Sequence, residues 1–186
     1  MNLDTFIYEI KLNYNIRKLI SEGEEIGYTS GYELGGRKRR TFETLLEARI
    51  DDLDNLKKYE EINNVYIQIK NIFNRDIHSI TYYKLLIGSG IGAHKDPFTE
   101  KNRVGVAINI LLSEDRHAPL KFIIEDKHYD IFYNSVLFNA NNVMHYVPKQ
   151  STQERILIRY FVKDMTLEEG KNIILAREHL DRLLIK

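Results

Sequence analysis

The sequence predicts a mainly β chain with flanking helices, and three observations carry that prediction. From Ser79 to Val162, short runs rich in Ile, Val, Tyr and Phe alternate with turn residues, the texture of a sandwich or a barrel. Before Asp76, apolar residues recur mostly at threes and fours, the helical period. After Asp164, one further helical segment closes the chain.

Taken in order, FIYEIKLN (Phe6–Asn13) alternates well enough for a short strand. Ile16, Leu19 and Ile20 then carry a short helix ending near Gly23. From Thr41, the spacing of Phe42, Leu45, Leu46, Ile50, Leu53 and Leu56 predicts a helix. A second helix is expected over Ile62, Val65, Tyr66, Ile69, Ile72 and Phe73, although VYIQI also reads as a strand. The β segments are ITYYKLLI, RVGVAINILL, LKFIIED, HYDIFY, SVLFNA, VMHYV and ERILIRYFV. In the closing helix, MTLEEGKNIILAREHLDRLL, Thr166 and Glu169 form a capping box. The expected architecture is a core of about eight strands with helices packed on one outer face.

The totals bound the function. With 186 residues and 43% hydrophobic content, 1–186 fits a single domain. Its expected parts are a mixed, mostly helical 1–76, a β core over 77–163 and a helix over 165–185. Lys+Arg and Asp+Glu are 27 each, so no global field points to nucleic acid or an anionic membrane. Cys is absent, which excludes disulfides, thiolate zinc sites and a cysteine nucleophile. The N-terminus does not read as a signal peptide, and no apolar run approaches ~18 residues, so a cytoplasmic protein is expected. The four basic residues Arg37–Arg40 read either as an exposed loop or as a lid that meets a carboxylate or an acidic peptide. The absence of interleaved aromatics argues against nucleic acid.

One strand carries more information than the others. In Arg103–Leu112 the even positions, Val104, Val106, Ile108, Ile110 and Leu112, form a plain burying face. The odd positions, Arg103, Gly105, Ala107, Asn109 and Leu111, are small or polar except for the last. Faces alternate, so the odd face reads either as a solvent face or as the wall of a pocket, and Gly and Ala in place of Lys, Glu and Thr favour the pocket. Asn109 and Arg103 fit either ligand contacts or structural hydrogen bonding.

Just before that strand, GSGIGAHKD places His94 and Asp96 two residues apart, on one face of an extended segment and within reach of one ion. The motif alone is weak, because His128-Tyr129-Asp130 repeats it. The glycines at positions 88, 90 and 92 let the backbone bend to present the first pair, whereas the second lies in an aromatic-rich strand and reads as surface or packing. His145 in NNVMHYVP shares a face with Val143 and Val147, as a core histidine or a third ligand. An antiparallel hairpin about the turn 148–154 would set Arg155 beside His145, with Arg159 about 13 Å further along at ~3.3 Å per residue. A buried guanidinium needs an anion, either the far carboxylate of a chelating dicarboxylate or a nearby acid such as Glu154. His117 reads as a solvated loop residue.

The joint pattern is HxD, 48 residues, His, nine residues, Arg. With it, KLLIGSGIGAHKD, RVGVAINILL and LFNANNVMHYVPKQSTQERILIRYFV resemble the Fe(II)/2-oxoglutarate-dependent dioxygenases, nearest the aspartyl/asparaginyl β-hydroxylase and proline hydroxylase branch. The resemblance covers roughly Tyr83 to Val162. It implies a double-stranded β-helix (jelly-roll, cupin-like) core. Fe(II) would be held by His94, Asp96 and His145, and the 5-carboxylate of 2-oxoglutarate by Arg155. Tyr82, Tyr83 and Lys84 lead into the metal loop; Tyr83, Asn109 and Arg159 are the further cosubstrate candidates. The implied reaction hydroxylates an amino-acid side chain, free or in a peptide, using O2 and releasing succinate and CO2. Asp96 favours hydroxylation over chlorination, because chlorinating members lack the carboxylate. Two other classes compete: a zinc-type hydrolase using the same triad, and a non-catalytic jelly-roll scaffold. Substrate identity and oligomeric state are not legible in the sequence.

Overall fold

The computed structural model describes residues 3–30, 45–50, 52–96, 105–113, 119–150 and 152–184. Eleven strands are described: β1 (Ile7–Glu9), β2 (Thr29–Ser30), β3 (Leu45–Ile50), β4 (Ile77–Leu85), β5 (Ile91–His94), β6 (Gly105–Leu111), β7 (Leu120–Ile124), β8 (Lys127–Ile131), β9 (Ser135–Phe138), β10 (Met144–Val147) and β11 (Arg155–Lys163). The helices are α1 (Ile16–Ile26), α2 (Glu60–Phe73) and α3 (Leu167–Leu184). The strands form two antiparallel sheets, a larger one in the order β1-β9-β6-β11-β4-β3-β2 and a smaller one in the order β5-β10-β7-β8. This is the mainly β, jelly-roll architecture with flanking helices that the sequence predicts.

Alternation along each strand of the larger sheet creates two cores. Val106, Ile108 and Ile110 of β6, Ile80 and Tyr82 of β4, and Ile158, Tyr160 and Val162 of β11 face one way. They are covered by Leu19 of α1, by Ile62, Val65, Ile69 and Phe73 of α2, and by Leu167 and Ile174 of α3. The helices therefore lie on one outer face, as expected. The opposite parity supplies Leu45, Leu85, Leu111, Val136 and Phe138, which meet Leu120, Phe122, Ile124 and Val147 of the smaller sheet. The site lies on this second, inner side.

The helical layer is tied together at its helix ends. Glu22 of α1 accepts the N–H groups of Glu61 and Ile62 in the first turn of α2, each at 2.8 Å. Glu61 in turn accepts the N–H of Asn15, the N-cap of α1, at 2.8 Å. Each carboxylate thus satisfies orphan donors at the start of a helix, where the helix dipole also favours negative charge.

Four expectations are corrected. Residues 45–50, expected in a helix, form β3, which pairs with β4 from Leu45↔Leu85 to Ile50↔Ile80. The apolar period misled because Leu45 packs on the inner core and Ala48 and Ile50 on the outer one. The continuation at Leu53 and Leu56 is a separate 3-10 turn, Leu53–Lys58, capped by Asp52. The first helix does not end near Gly23 but continues to Ile26. The strand at the N-terminus is shorter than Phe6–Asn13. Finally, β10 and β11 are not a hairpin. They lie in different sheets, and β11 pairs with β4 and β6. VYIQI lies within α2.

Candidate metal centre

The glycine-rich turn after β4 carries the chain from the larger sheet to the smaller one. Gly88 has φ +86°, a left-handed conformation that glycine adopts without strain. A Cβ at Gly90 would stand 2.7 Å from the carbonyl oxygen of Val147. The turn is laced to the end of β10 by Gly88 N–H to Gln150 O (2.7 Å) and Gln150 N–H to Ser89 O (2.8 Å). These contacts bring β5 alongside β10, with His94 directly opposite His145 in the register.

His94, Asp96 and His145 thereby converge, with one ligand atom of each within 4.8 Å of the others. His94 Nδ1 contacts Gly92 O at 2.8 Å, and His145 Nδ1 contacts Val143 O at 3.0 Å. A carbonyl only accepts, so each ring donates from Nδ1 and turns its Nε2 lone pair toward the centre. Asp96 Oδ1 stands 3.3 Å from His94 Nε2 and 3.9 Å from His145 Nε2. The Asp96 backbone N–H is fixed to Ala140 O at 3.2 Å. His145 is buried, with Phe138 edge-on to its ring at 5.1 Å, while His94 and Asp96 are partly open.

The electrostatics suit a cation. Burial opposes ionisation of Asp96, but the hydrogen bond that His94 donates when protonated and the charge of Arg159 outweigh it, holding the carboxyl well below the usual range. Burial lowers the pKa of His145, keeping its ring neutral. The Asp96 hydrogen bond raises that of His94. Two imidazole nitrogens and one carboxylate, with donors fixed from behind, match the two-histidine, one-carboxylate set that binds Fe(II) and leaves further positions open.

Around this centre the inner wall of the larger sheet is polar. Arg159 donates through Nε to Asn109 Oδ1 at 2.9 Å and through Nη1 to Asp96 Oδ2 at 3.4 Å, and lies over the Tyr83 ring at 5.1 Å. Tyr83 is on the inner face; its neighbours Tyr82 and Lys84 point outward, to Leu19 O and to Glu24 and Glu154. The partner expected for Arg155, Glu154, is therefore taken by Lys84. Arg155 itself is 3% exposed, faces inward, and donates to Tyr133 Oη at 3.4 Å. The odd face of β6 does turn inward, with Ala107 and Asn109 buried. The second HxD is on the surface, where Asp130 pairs with Lys121 and His128 contacts Tyr146 Oη. Arg37–Arg40, Arg103 and His117 lie outside the described residues.

Sequence reasoning missed Glu47, Arg49 and Tyr133. Glu47 and Arg49 share the inner parity of Leu45, with Glu47 opposite Tyr83 and Arg49 opposite Thr81. The alternation of Leu45, Glu47 and Arg49 against Leu46, Ala48 and Ile50 was the available signal, hidden by the helical reading.

Among the described residues, no helix is long and apolar enough to cross a membrane. No family model and no curated protein sequence matches the chain. Solved structures do. A prolyl hydroxylase from Trichoplax adhaerens, in complex with a hypoxia-inducible-factor oxygen degradation domain peptide fragment, superposes with a TM-score of 0.65 at 16% identity over 91% of this chain and 87% of that one. A Pseudomonas putida prolyl-4-hydroxylase gives 0.57 at 16% identity over 88% and 96%. HygX from Streptomyces hygroscopicus, with nickel and 2-oxoglutarate bound, gives 0.59 at 10% identity over 88% and 85%. The chain is similar to these proteins in fold.

Proposed function

We propose that this chain is an Fe(II)- and 2-oxoglutarate-dependent oxygenase that hydroxylates an unactivated C–H bond of an amino-acid side chain, free or within a peptide. The observation that carries the reading is the convergence of His94 Nε2, His145 Nε2 and the Asp96 carboxylate, with both imidazoles locked from behind. The fold similarity to prolyl hydroxylases supports the chemistry and the kind of target. In this reading the triad holds the iron, which with 2-oxoglutarate and O2 supplies the oxidising chemistry and releases succinate and CO2.

The remaining roles follow from position. Arg155, a buried permanent cation on the inner face, receives the distal carboxylate of 2-oxoglutarate, with Tyr133 steadying the guanidinium. Asn109, Tyr83 and Arg159 line the wall beside Asp96, and Arg159 orients that carboxylate. A zinc-type hydrolase would have no use for an inward arginine aimed at a dicarboxylate, and a scaffold no use for two tautomer-locked imidazoles facing a carboxylate.

The test is anaerobic addition of Fe(II) and then 2-oxoglutarate to the purified protein. A metal-to-ligand charge-transfer band is expected, and is expected to vanish in His94→Ala and His145→Ala. No band in the wild type, or an unchanged band in both variants, overturns the assignment.

A further inference from the structure

Glu47 stands out on the inner wall of the larger sheet. It lies on the inner face of β3, directly opposite Tyr83, whose ring lies under Arg159. Its backbone is held in the sheet, where Thr29 Oγ1 also donates to Glu47 O at 3.2 Å. Among the described residues its carboxylate accepts no hydrogen bond and forms no ion pair. Burial raises its pKa, and the fields of Arg49 and Arg159 only partly oppose this. A half-buried carboxylate held for stability would be paired; this one stands on the inner face of the larger sheet, on the side of the triad, without a partner among the described residues.

Its surroundings restrict what it can receive. A purely cationic ligand would meet Glu47 but also the Arg159 guanidinium, which repels it. A purely anionic ligand would meet the guanidinium but be repelled by Glu47. Arg159 donates to Asn109 through Nε and to Asp96 through one Nη, so a guanidinium with five N–H groups has donors left for an anion. On the sheet, Glu47 and Arg159 are two strands apart and one step along, with β4 between them. At ~4.8 Å between strands, two long side chains can close on the ends of one small molecule.

Resting on the oxygenase reading above, we propose that the substrate is a free α-amino acid bound as its zwitterion, with its ammonium on Glu47 and its carboxylate on Arg159. Blocking either end, as a peptide bond does, removes one of the two contacts. A peptide-bound residue is therefore a poor ligand for this pocket.

The experiment starts from protein loaded anaerobically with Fe(II) and 2-oxoglutarate. The twenty free L-amino acids are titrated, each beside its N-acetyl and its carboxamide derivative, and perturbation of the charge-transfer band is read. At least one free amino acid is expected to shift the band, and each blocked form to bind on the order of 10- to 100-fold more weakly, the loss typical of a hydrogen bond to a charged group. Glu47→Gln is expected to weaken the free amino acid to the same degree while leaving its N-acetyl form unchanged, closing the gap between them. The comparison of blocked and free ligands in the wild type stands even if that variant does not fold. Band shifts by blocked forms or by peptides but by no free amino acid, or by nothing in the panel, overturn the proposal. So does an equal loss for free and acetylated forms in Glu47→Gln. Failure of the band to form at all would instead overturn the oxygenase reading.

Discussion

His94 and His145 are direct cross-strand partners on β5 and β10, and their ring centroids stand 4.4 Å apart. Two imidazoles this close cannot both be protonated without repulsion. The hydrogen bond to Asp96 draws a proton toward His94, and burial keeps His145 neutral. A metal cation between the two Nε2 atoms would serve both rings and Asp96 at once. The protein should therefore gain stability from a divalent metal. At a free Fe(II), Ni(II) or Co(II) concentration ~100 times its Kd, the gain is about 2.7 kcal/mol. For a chain of this size that corresponds to roughly 5–10 °C in Tm. Thermal unfolding with and without metal checks it. His145→Ala and Asp96→Ala should lose the shift, and a full shift in both would place the metal elsewhere.

Arg155 and the triad should separate in binding experiments. Arg155 is buried beside Tyr133, while Arg159, four residues on, is the arginine that reaches Asp96. Arg155→Met is expected to weaken 2-oxoglutarate on the order of 10- to 100-fold, as for a lost charged hydrogen bond. Metal affinity should change little, and Arg155→Lys should recover part of the loss. Titrating 2-oxoglutarate into the metal-loaded protein measures the first, and titrating metal alone measures the second. Equal weakening of both would contradict a role for Arg155 at the far carboxylate.

The reach of the sequence followed the physics of each segment. The convergence of His94, Asp96 and His145 was legible only from the joint pattern: HxD occurs twice and a valine-flanked His reads equally as core, and it was the spacing to His145 and Arg155 that drew the three together. The fold class was legible because the β segments alternate and are broken by turn residues. Residues 45–50 were not: Leu45 faces one core while Ala48 and Ile50 face another, so apolar residues on both faces blur the period of two and, with Leu53 and Leu56, imitate helical spacing. That misreading hid Glu47 and Arg49 from the site. The hairpin expected between β10 and β11 failed for a different reason. A polar turn does not reveal whether the chain folds back within a sheet or crosses to the facing one. Here Gln150 is bound to the glycine turn at Gly88 and Ser89, and the chain crosses.

The start of α3 carries a pH-dependent contribution to stability. Glu169 accepts the Thr166 N–H at 2.7 Å, and Thr166 Oγ1 accepts the Glu169 N–H at 3.1 Å. The backbone hydrogen bond from Thr166 is the main reason the Glu169 pKa is lowered. A depressed carboxylate stabilises the fold above its unfolded pKa, and this is lost as pH falls through the lowered folded value. The difference in Tm between wild type and Glu169→Gln should therefore be constant near neutrality and shrink on acidification below the ordinary glutamate range. Thr166→Ala, which removes the cap itself, should cost about 1 kcal/mol at neutral pH. A Tm difference for Glu169→Gln that grows on acidification would exclude the reciprocal cap as its source.

Gly23 gives the sharpest test of packing, because propensity and sterics disagree about its sign. It lies inside α1, where alanine is ordinarily better by about 1 kcal/mol. A Cβ there, however, would stand 2.9 and 3.0 Å from Cε1 and Cδ1 of Tyr82 and 3.1 Å from Tyr28 Oη. Tyr82 is fully buried, and its hydroxyl donates to Leu19 O at 2.8 Å, one helical turn before Gly23. The ring cannot swing away without straining that bond. Overpacking of this kind costs about 1–3 kcal/mol, and a loosened buried hydrogen bond adds to it. Net of the propensity gain this leaves a loss of up to about 2 kcal/mol before the hydrogen bond is counted, so Gly23→Ala should lower Tm by up to roughly 8 °C. In a Tyr82→Leu background the two nearest contacts are gone and only Tyr28 Oη, the end of a side chain, remains, so the same substitution should cost clearly less than in the wild type, a coupling expected only of residues in contact. Stabilisation by Gly23→Ala in the wild-type background would show that α1 does not need this close approach to β4.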